Sequence, residues 1–239
     1  MSDSDGVVET DDASDAATDE VVVFSDYVCP FCRLGRASLA QYREGRDDPL
    51  DVEWHPFDLR GYRRDENREI QEEVDNGKDE EYFDRVRENV ERLSEQYGVS
   101  ADIDEVPDTD SWAAQQAAFY VREEHPEQFT AFDDALFEAY WDDYRDIGDV
   151  DVIADVAESL GDSAGNQNAS RSGDVAEDVG LDAEEIREAA TDEEWADRLE
   201  AQFEEARDRG VTGVPTFAAD GHAARGAVPP EQLERLIEG

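Results

Sequence analysis

Lysine is nearly absent from this 239-residue chain: Lys78 stands alone against twenty arginines. Basic charge as a whole is scarce, with 21 Lys and Arg facing 66 Asp and Glu, for a formal net charge of -45. A surface of that sign repels nucleic-acid phosphates and anionic lipid headgroups, which argues against nucleic acid and membrane as partners. Cysteine occurs only twice, at Cys29 and Cys32. Two residues cannot build a disulfide framework, nor by themselves a four-ligand zinc site. The three histidines, His55, His125 and His222, show no ligand spacing, so no metal is expected. No apolar run approaches the ~20 residues that a membrane-spanning helix needs.

What is present is enough for a core. Hydrophobic residues make up 38% of the chain and aromatics 9%, too much for a wholly disordered polymer. The acidity, the replacement of Lys by Arg and the many Ala, Val and Gly resemble the composition of proteins from salt-accumulating halophilic archaea. The physics agrees, because at ~1 M salt the Debye length shrinks to about 3 Å and self-repulsion is screened. Residues 1–20 hold eight acids, no base and no apolar centre. They read as a disordered, solvated tail and not as a secretory signal. A cytoplasmic location is the expectation, and there a C-x-x-C pair is catalytic or metal-binding before it is a structural staple.

Val21-Val22-Val23-Phe24 is a β-branched run suited to a buried strand. Cys29-Pro30-Phe31-Cys32 then opens a helix to about Arg43, with Pro30 in the first turn, where its missing N–H costs nothing. A second strand is expected over Leu50 to Phe57, with Val52 and Trp54 on one face and Glu53 and His55 on the other, outward one. Residues 61–210 read as helices. Their stripes are Tyr82 to Tyr97, Trp112 to Tyr120, Phe129-Phe132-Leu136-Tyr140-Tyr144, Val152 to Leu160 and Trp195 to Ala206. Residues 161–180 break the pattern with Gly, Ser, Asn and Asp and read as a mobile loop. After Gly210 comes a strand over Val214 to Ala219, an Asp220-Gly221 hairpin turn, a short return strand and a closing helix through Leu233 and Ile237. The order βαβ, helical block, ββα is similar to that of thioredoxin with a helical domain inserted. The fold class is therefore α/β, with 21–60 and 211–239 forming the thioredoxin-like domain and 61–210 the insertion.

The chemistry rests on the two thiols. Cys29 lies at the mouth of a helix, where unpaired N–H groups and the macrodipole favour a thiolate. Cys32 is one turn further in, placed to attack a mixed disulfide and release what is bound. Asp26, three residues before Cys29, either tunes the thiol or relays a proton, or else satisfies loop N–H groups at the strand end. Arg33 and Arg36 either favour the thiolate or form a solvated face. His125 and His222 read as surface residues.

The run Ser25-Asp26-Tyr27-Val28-Cys29-Pro30-Phe31-Cys32, followed by Leu34-Gly35, resembles the DsbA family, specifically its FrnE-like branch. Phe132 to Tyr140 with Asp146-Ile147-Gly148 is similar to the helical domain of that branch. Val211-Thr212-Gly213-Val214-Pro215-Thr216-Phe217 is similar to its proline loop, with Ala224-Arg225-Gly226 and the 161–180 loop as departures. The resemblance implies disulfide oxidoreductase or isomerase activity on protein or small-molecule thiols and disulfides. It makes Cys29 the nucleophile and Cys32 the resolving thiol. Val214 and a cis Pro215 become the docking edge, with Pro30 and Phe31 beside it, and no cofactor is implied beyond the dithiol itself.

Two other readings compete. The same inserted architecture serves hydroxychromene carboxylate isomerases and kappa-class glutathione transferases, which depend on a thiol cofactor and tend to carry serine where Cys29 stands. The third, non-enzymatic, makes the C-x-x-C half of a zinc site, for which further ligands are missing, or the whole chain an acidic binding module.

Overall fold

The Val21–Phe24 run forms the middle of β1 (Asp19–Ser25). The computed structural model describes residues 19–71, 74, 77, 79–167 and 180–239, with backbone alone for 162–167. The tail expected over 1–20 thus lies, for 1–18, outside the described residues, as does 168–179 of the expected loop. After β1 come α1 (Pro30–Glu44), β2 (Leu50–Pro56) and a short 3-10 turn (Gly61–Arg63). Six helices follow: α2 (Glu80–Tyr97), α3 (Trp112–Glu124), α4 (Pro126–Trp141), α5 (Val150–Gln167), α6 (Ala183–Thr191) and α7 (Glu193–Asp208). The chain closes with β3 (Thr216–Ala219), β4 (His222–Arg225) and α8 (Pro230–Ile237).

The strands order as β2-β1-β3-β4. β1 runs parallel to β2, with Val23 beside Trp54, and antiparallel to β3, with Val23 beside Phe217. Asp220 and Gly221 both take positive φ, 48° and 77°, as a two-residue turn matched to strand twist requires. This is the thioredoxin-like α/β fold, with helices α2 to α7 between β2 and β3 in the chain. Val21, Val23 and Phe217 face α1 and α8 through Leu39, Tyr42, Leu233 and Ile237. The larger core joins Phe24, Trp54 and both cysteines to the helices. The abundant acid is placed usefully at helix starts: Asp79, Asp182 and Asp192 each cap one through their carboxylates. Such caps contribute about 1 kcal/mol apiece.

Several expectations are corrected. His55 is buried, 1% exposed, and its ring lies 4.6 Å from that of Phe24. α7 covers the last residues of β2 on the face expected to be outward, while Glu53 on the same face stays exposed. The break at Gly161 is not one: α5 continues through Gln167. That glycine serves contact, since a Cβ on it would meet Gly180 Cα at 3.3 Å. α4 ends at Trp141, and Tyr144, at φ 53°, leaves the apolar stripe and stands exposed. α6, whose buried face is Ile186, Ala189 and Ala190, had no counterpart among the expected elements.

Candidate active site

Cys29 is the N-cap of α1, in extended conformation, and makes no side-chain cap bond. Its carbonyl accepts the amides of Cys32 (3.0 Å) and Arg33 (3.2 Å), which starts the helix and leaves the sulfur free for other work. Pro30 takes the first helical position, where its fixed φ suits the turn. It stands half-buried with Phe31 at the helix mouth. Both cysteines are free thiols. The Cys29 thiol donates to the Val214 carbonyl oxygen across 3.5 Å, and the Val214–Pro215 peptide bond is cis. β3 starts at Thr216, so Val214 and Pro215 precede the strand instead of beginning it. Gly35, one turn along α1 from the thiols, permits this approach: a Cβ there would lie 3.0 Å from Pro215 Cγ and 3.2 Å from the Phe217 ring.

Cys32 is buried, and burial pushes its thiol well above the ordinary range. The adjacent Cys29 sulfur adds to the rise by hydrogen bond and by charge. The Asp26 main-chain N–H and the Ser25 hydroxyl act the other way. The proton on this sulfur is therefore strongly held.

Asp26 is 1% exposed. Its carboxylate accepts the amides of Val28 (3.2 Å) and Leu59 (2.9 Å), and its backbone carbonyl accepts the Cys29 amide (3.2 Å). Burial raises the carboxyl to about 6, aided by the like charge of Asp58 and opposed by hydrogen bonds from Ser111, Leu59 and Val28. The expected bonding to loop amides is therefore present.

Further residues support the loop, and of these the sequence reading assigned no role at the site to Tyr27, Asp133 or Trp141. Tyr27 donates to Asp133 of α4 (2.8 Å), and its backbone carbonyl accepts the Trp141 indole N–H (2.8 Å). Arg36 grips the other Asp133 oxygen (2.5 Å), pairs with Asp134 and lies over the Phe137 ring at 4.5 Å. Arg33 pairs with Asp142 (2.6 Å). The two arginines are thus tied to α4 and do not form a solvated face. Tyr27 and Asp133 both sit inside stretches that carry the family resemblance, yet their 106-residue separation hides the pairing. His125 approaches Tyr120 and Glu185, and His222 is exposed; neither is brought to the dithiol. Among the described residues no group of three or more His, Cys, Asp or Glu could hold a metal ion. None of the described helices is long and apolar enough to cross a membrane.

The chain is similar to known proteins over nearly its whole length. It is 25% identical over 224 residues to the uncharacterized protein YwbO of Bacillus subtilis, covering 92% of this chain and 96% of that one. Its structure is similar to that of a "probable DsbA oxidoreductase" from Streptomyces coelicolor. The TM-score is 0.66 and the identity 22%, covering 92% of this chain and 88% of the other. A 2-hydroxychromene-2-carboxylate isomerase matches nearly as well, at TM-score 0.65 and 16% identity, covering 92% and 94%. At such identities the structures establish a shared fold. The sequence profile of the DSBA-like thioredoxin domain matches residues 20–173 and 163–238, and the chain belongs to that family.

Proposed function

We infer that the protein is a thiol–disulfide oxidoreductase or isomerase that exchanges disulfides with protein substrates through Cys29 and Cys32. The observation that carries this reading is the placement of two free thiols within one helical turn, the outer one on the Val214 carbonyl. In the reductive direction the Cys29 thiolate attacks a substrate disulfide. A Cys29–substrate bond forms, the substrate S–S bond breaks and one substrate thiolate leaves. Cys32 gives its proton to Asp26, directly or through water, and attacks Cys29 Sγ. The second substrate thiolate leaves, so the substrate gains two electrons and the dithiol becomes a disulfide. Oxidation of a substrate is the same path reversed. Val214, beside Pro215, offers its backbone as the edge on which an extended substrate segment docks, flanked by Pro30 and Phe31. No cofactor beyond the dithiol enters, and a cytoplasmic setting suits a working C-x-x-C pair.

The likeness to the hydroxychromene carboxylate isomerase supports a second reading, a thiol-cofactor-dependent isomerase or transferase. That chemistry has no use for Cys32 as a resolving thiol. Insulin reduction by the purified protein and its Cys29→Ala and Cys32→Ala variants separates the two. Exchange that is lost in Cys29→Ala, and that stops at a mixed disulfide in Cys32→Ala, supports the oxidoreductase. Full turnover by Cys32→Ala, or none by the native chain, removes it.

A further inference from the structure

Ser111 stands at the N-cap of α3, where a serine normally accepts a hydrogen bond from the first turn of its own helix. It makes no such bond here. Asp110 accepts the Trp112 amide instead (3.1 Å), and the Ser111 hydroxyl, 1% exposed, favours the charged form of the buried Asp26 carboxyl. The role of that hydroxyl as a donor is fixed from outside. The Phe57 amide, which is a donor only, bonds Gln115 Oε1 (3.2 Å), so Gln115 Nε2 faces Ser111 and donates to its oxygen (3.1 Å). Ser111, accepting there, has its one proton to give to Asp26.

A second arm reaches the same carboxylate. Leu59 N–H donates to Asp26 Oδ2 (2.9 Å), and the adjacent Asp58 is held by Arg64 through Nε (2.8 Å) and Nη2 (3.2 Å). The same guanidinium bonds both Asp110 oxygens at 2.9 Å and lies 4.6 Å from the Trp112 ring centre. Gly61 leaves the room this requires, since a Cβ there would stand 3.0 Å from Asp58 Oδ2. One arginine therefore ties together the start of α3 and the segment leaving β2, the two elements that bring Ser111 and Leu59 to Asp26. The other titratable groups around the carboxyl are Tyr27 beside it, Tyr140 from α4, with Arg60 near that phenol, and the Cys32 thiol from α1.

We propose that Ser111 and the Asp58–Arg64–Asp110 clamp are positioning groups for Asp26, so that the start of α3 and the segment leaving β2 govern when this carboxyl takes the Cys32 proton. The proposal rests on the exchange reaction inferred above. Ser111 favours the carboxylate by donating to it, and Asp58 disfavours it as a like charge; the two oppose each other across one group.

The test is the pH profile of mixed-disulfide resolution, followed from pH 4.5 to 8.5 by release of a thiol leaving group. In the native chain the acidic limb tracks Asp26, and Asp26→Asn abolishes it. Ser111→Ala moves the limb upward by about one pH unit, roughly a tenfold slower rate at fixed pH below it. Ser111→Thr, which keeps the hydroxyl, restores the native position, and Asp58→Asn moves the limb downward. A limb that vanishes in Asp26→Asn but stays in place in Ser111→Ala and Asp58→Asn overturns the positioning role and leaves the exchange reading intact. A limb that survives Asp26→Asn overturns the role of Asp26 itself, and the positioning role with it. If Ser111→Ala does not fold, Asp58→Asn alone decides, because an unmoved limb there contradicts the opposition of the two groups.

Discussion

Gly35 and Pro215 are in contact across the fold: a single Cβ on the glycine would stand 3.0 Å from the proline ring. A proline ring is closed onto its own backbone and cannot swing aside, and the Phe217 ring stands 3.2 Å from the same Cβ position. Gly35→Ala adds helix propensity worth about 1 kcal/mol at that position. Overpacking of this kind costs about 1–3 kcal/mol. The second effect wins, and it acts on the distance between α1 and the proline loop. We expect a modest loss of unfolding free energy, up to about 2 kcal/mol, read from the urea midpoint, and a disproportionate fall in exchange rate, of tenfold or more. An unchanged exchange rate in a folded Gly35→Ala variant would show that this spacing does not matter to the reaction.

The two thiols should separate cleanly under alkylation. Burial and the neighbouring sulfur hold the proton on Cys32; Cys29, also buried, stands one turn nearer the helix start with its thiol on the Val214 carbonyl. Iodoacetamide at neutral pH under native conditions should give a single adduct, mapped by peptide mass spectrometry to Cys29. A second adduct, on Cys32, should form only once denaturant opens the fold. Native labelling that fell first on Cys32 would reverse the assignment of nucleophile and resolving thiol.

Much of this site was legible in sequence because its chemistry is local. Strand, Cys-Pro-Phe-Cys and helix lie within one continuous segment, and Pro30 in the first turn places the thiols at the helix start. The proline loop was legible through its resemblance, although the strand begins two residues later than expected. What stayed hidden depends on distant packing. His55 reads as outward from alternation, yet α7 covers it; Gly161 reads as a breaker, yet it fits against Gly180. Periodicity reports which face of an element is apolar, and it is silent on which polar groups meet across elements.

Asp26 also leaves a mark on stability. Its folded pKa is raised to about 6 from an ordinary value of 3.8, so the folded state binds this proton more tightly than the unfolded chain. The sign follows: its contribution is fully favourable below about pH 4 and is lost as pH rises through 6. The span corresponds to about 3 kcal/mol for a group this deeply buried. Asp26→Asn removes the titration while giving up one acceptor for a loop amide. The difference in unfolding free energy between variant and native chain should therefore move by about 3 kcal/mol in the variant's favour between pH 4 and pH 7. His55 adds a slope of the opposite sign, since burial lowers its pKa and its contribution falls as pH drops below about 6.5. Comparing both chains at each pH cancels that term. A difference that stays constant with pH would mean the Asp26 carboxyl titrates at an ordinary value.

Salt should stabilise the fold, and the reason lies in the ranges over which charges act. The net charge of -45 is carried by many carboxylates whose mutual repulsion extends across the surface. The favourable pairs are contacts, such as Arg33–Asp142 at 2.6 Å, Arg64–Asp58 at 2.8 Å and Arg145–Asp155 at 3.2 Å. At ~0.1 M salt the Debye length is about 10 Å, and at ~1 M it is about 3 Å. Raising salt across that range removes repulsion between carboxylates 5–10 Å apart, while pairs in direct contact retain most of their attraction. The partly buried Arg64 pairs are screened least of all, because solvent ions do not enter between them. The unfolded chain carries the same charges further apart, so it gains less from screening than the compact state does. We therefore expect the urea midpoint to rise steadily from ~0.1 M to ~2 M potassium chloride, with the steepest gain below ~0.5 M, where the Debye length shortens fastest. Circular dichroism at fixed urea is the measurement. A midpoint that fell with salt would mean that the contact pairs, not the excess charge, dominate the electrostatics of this fold.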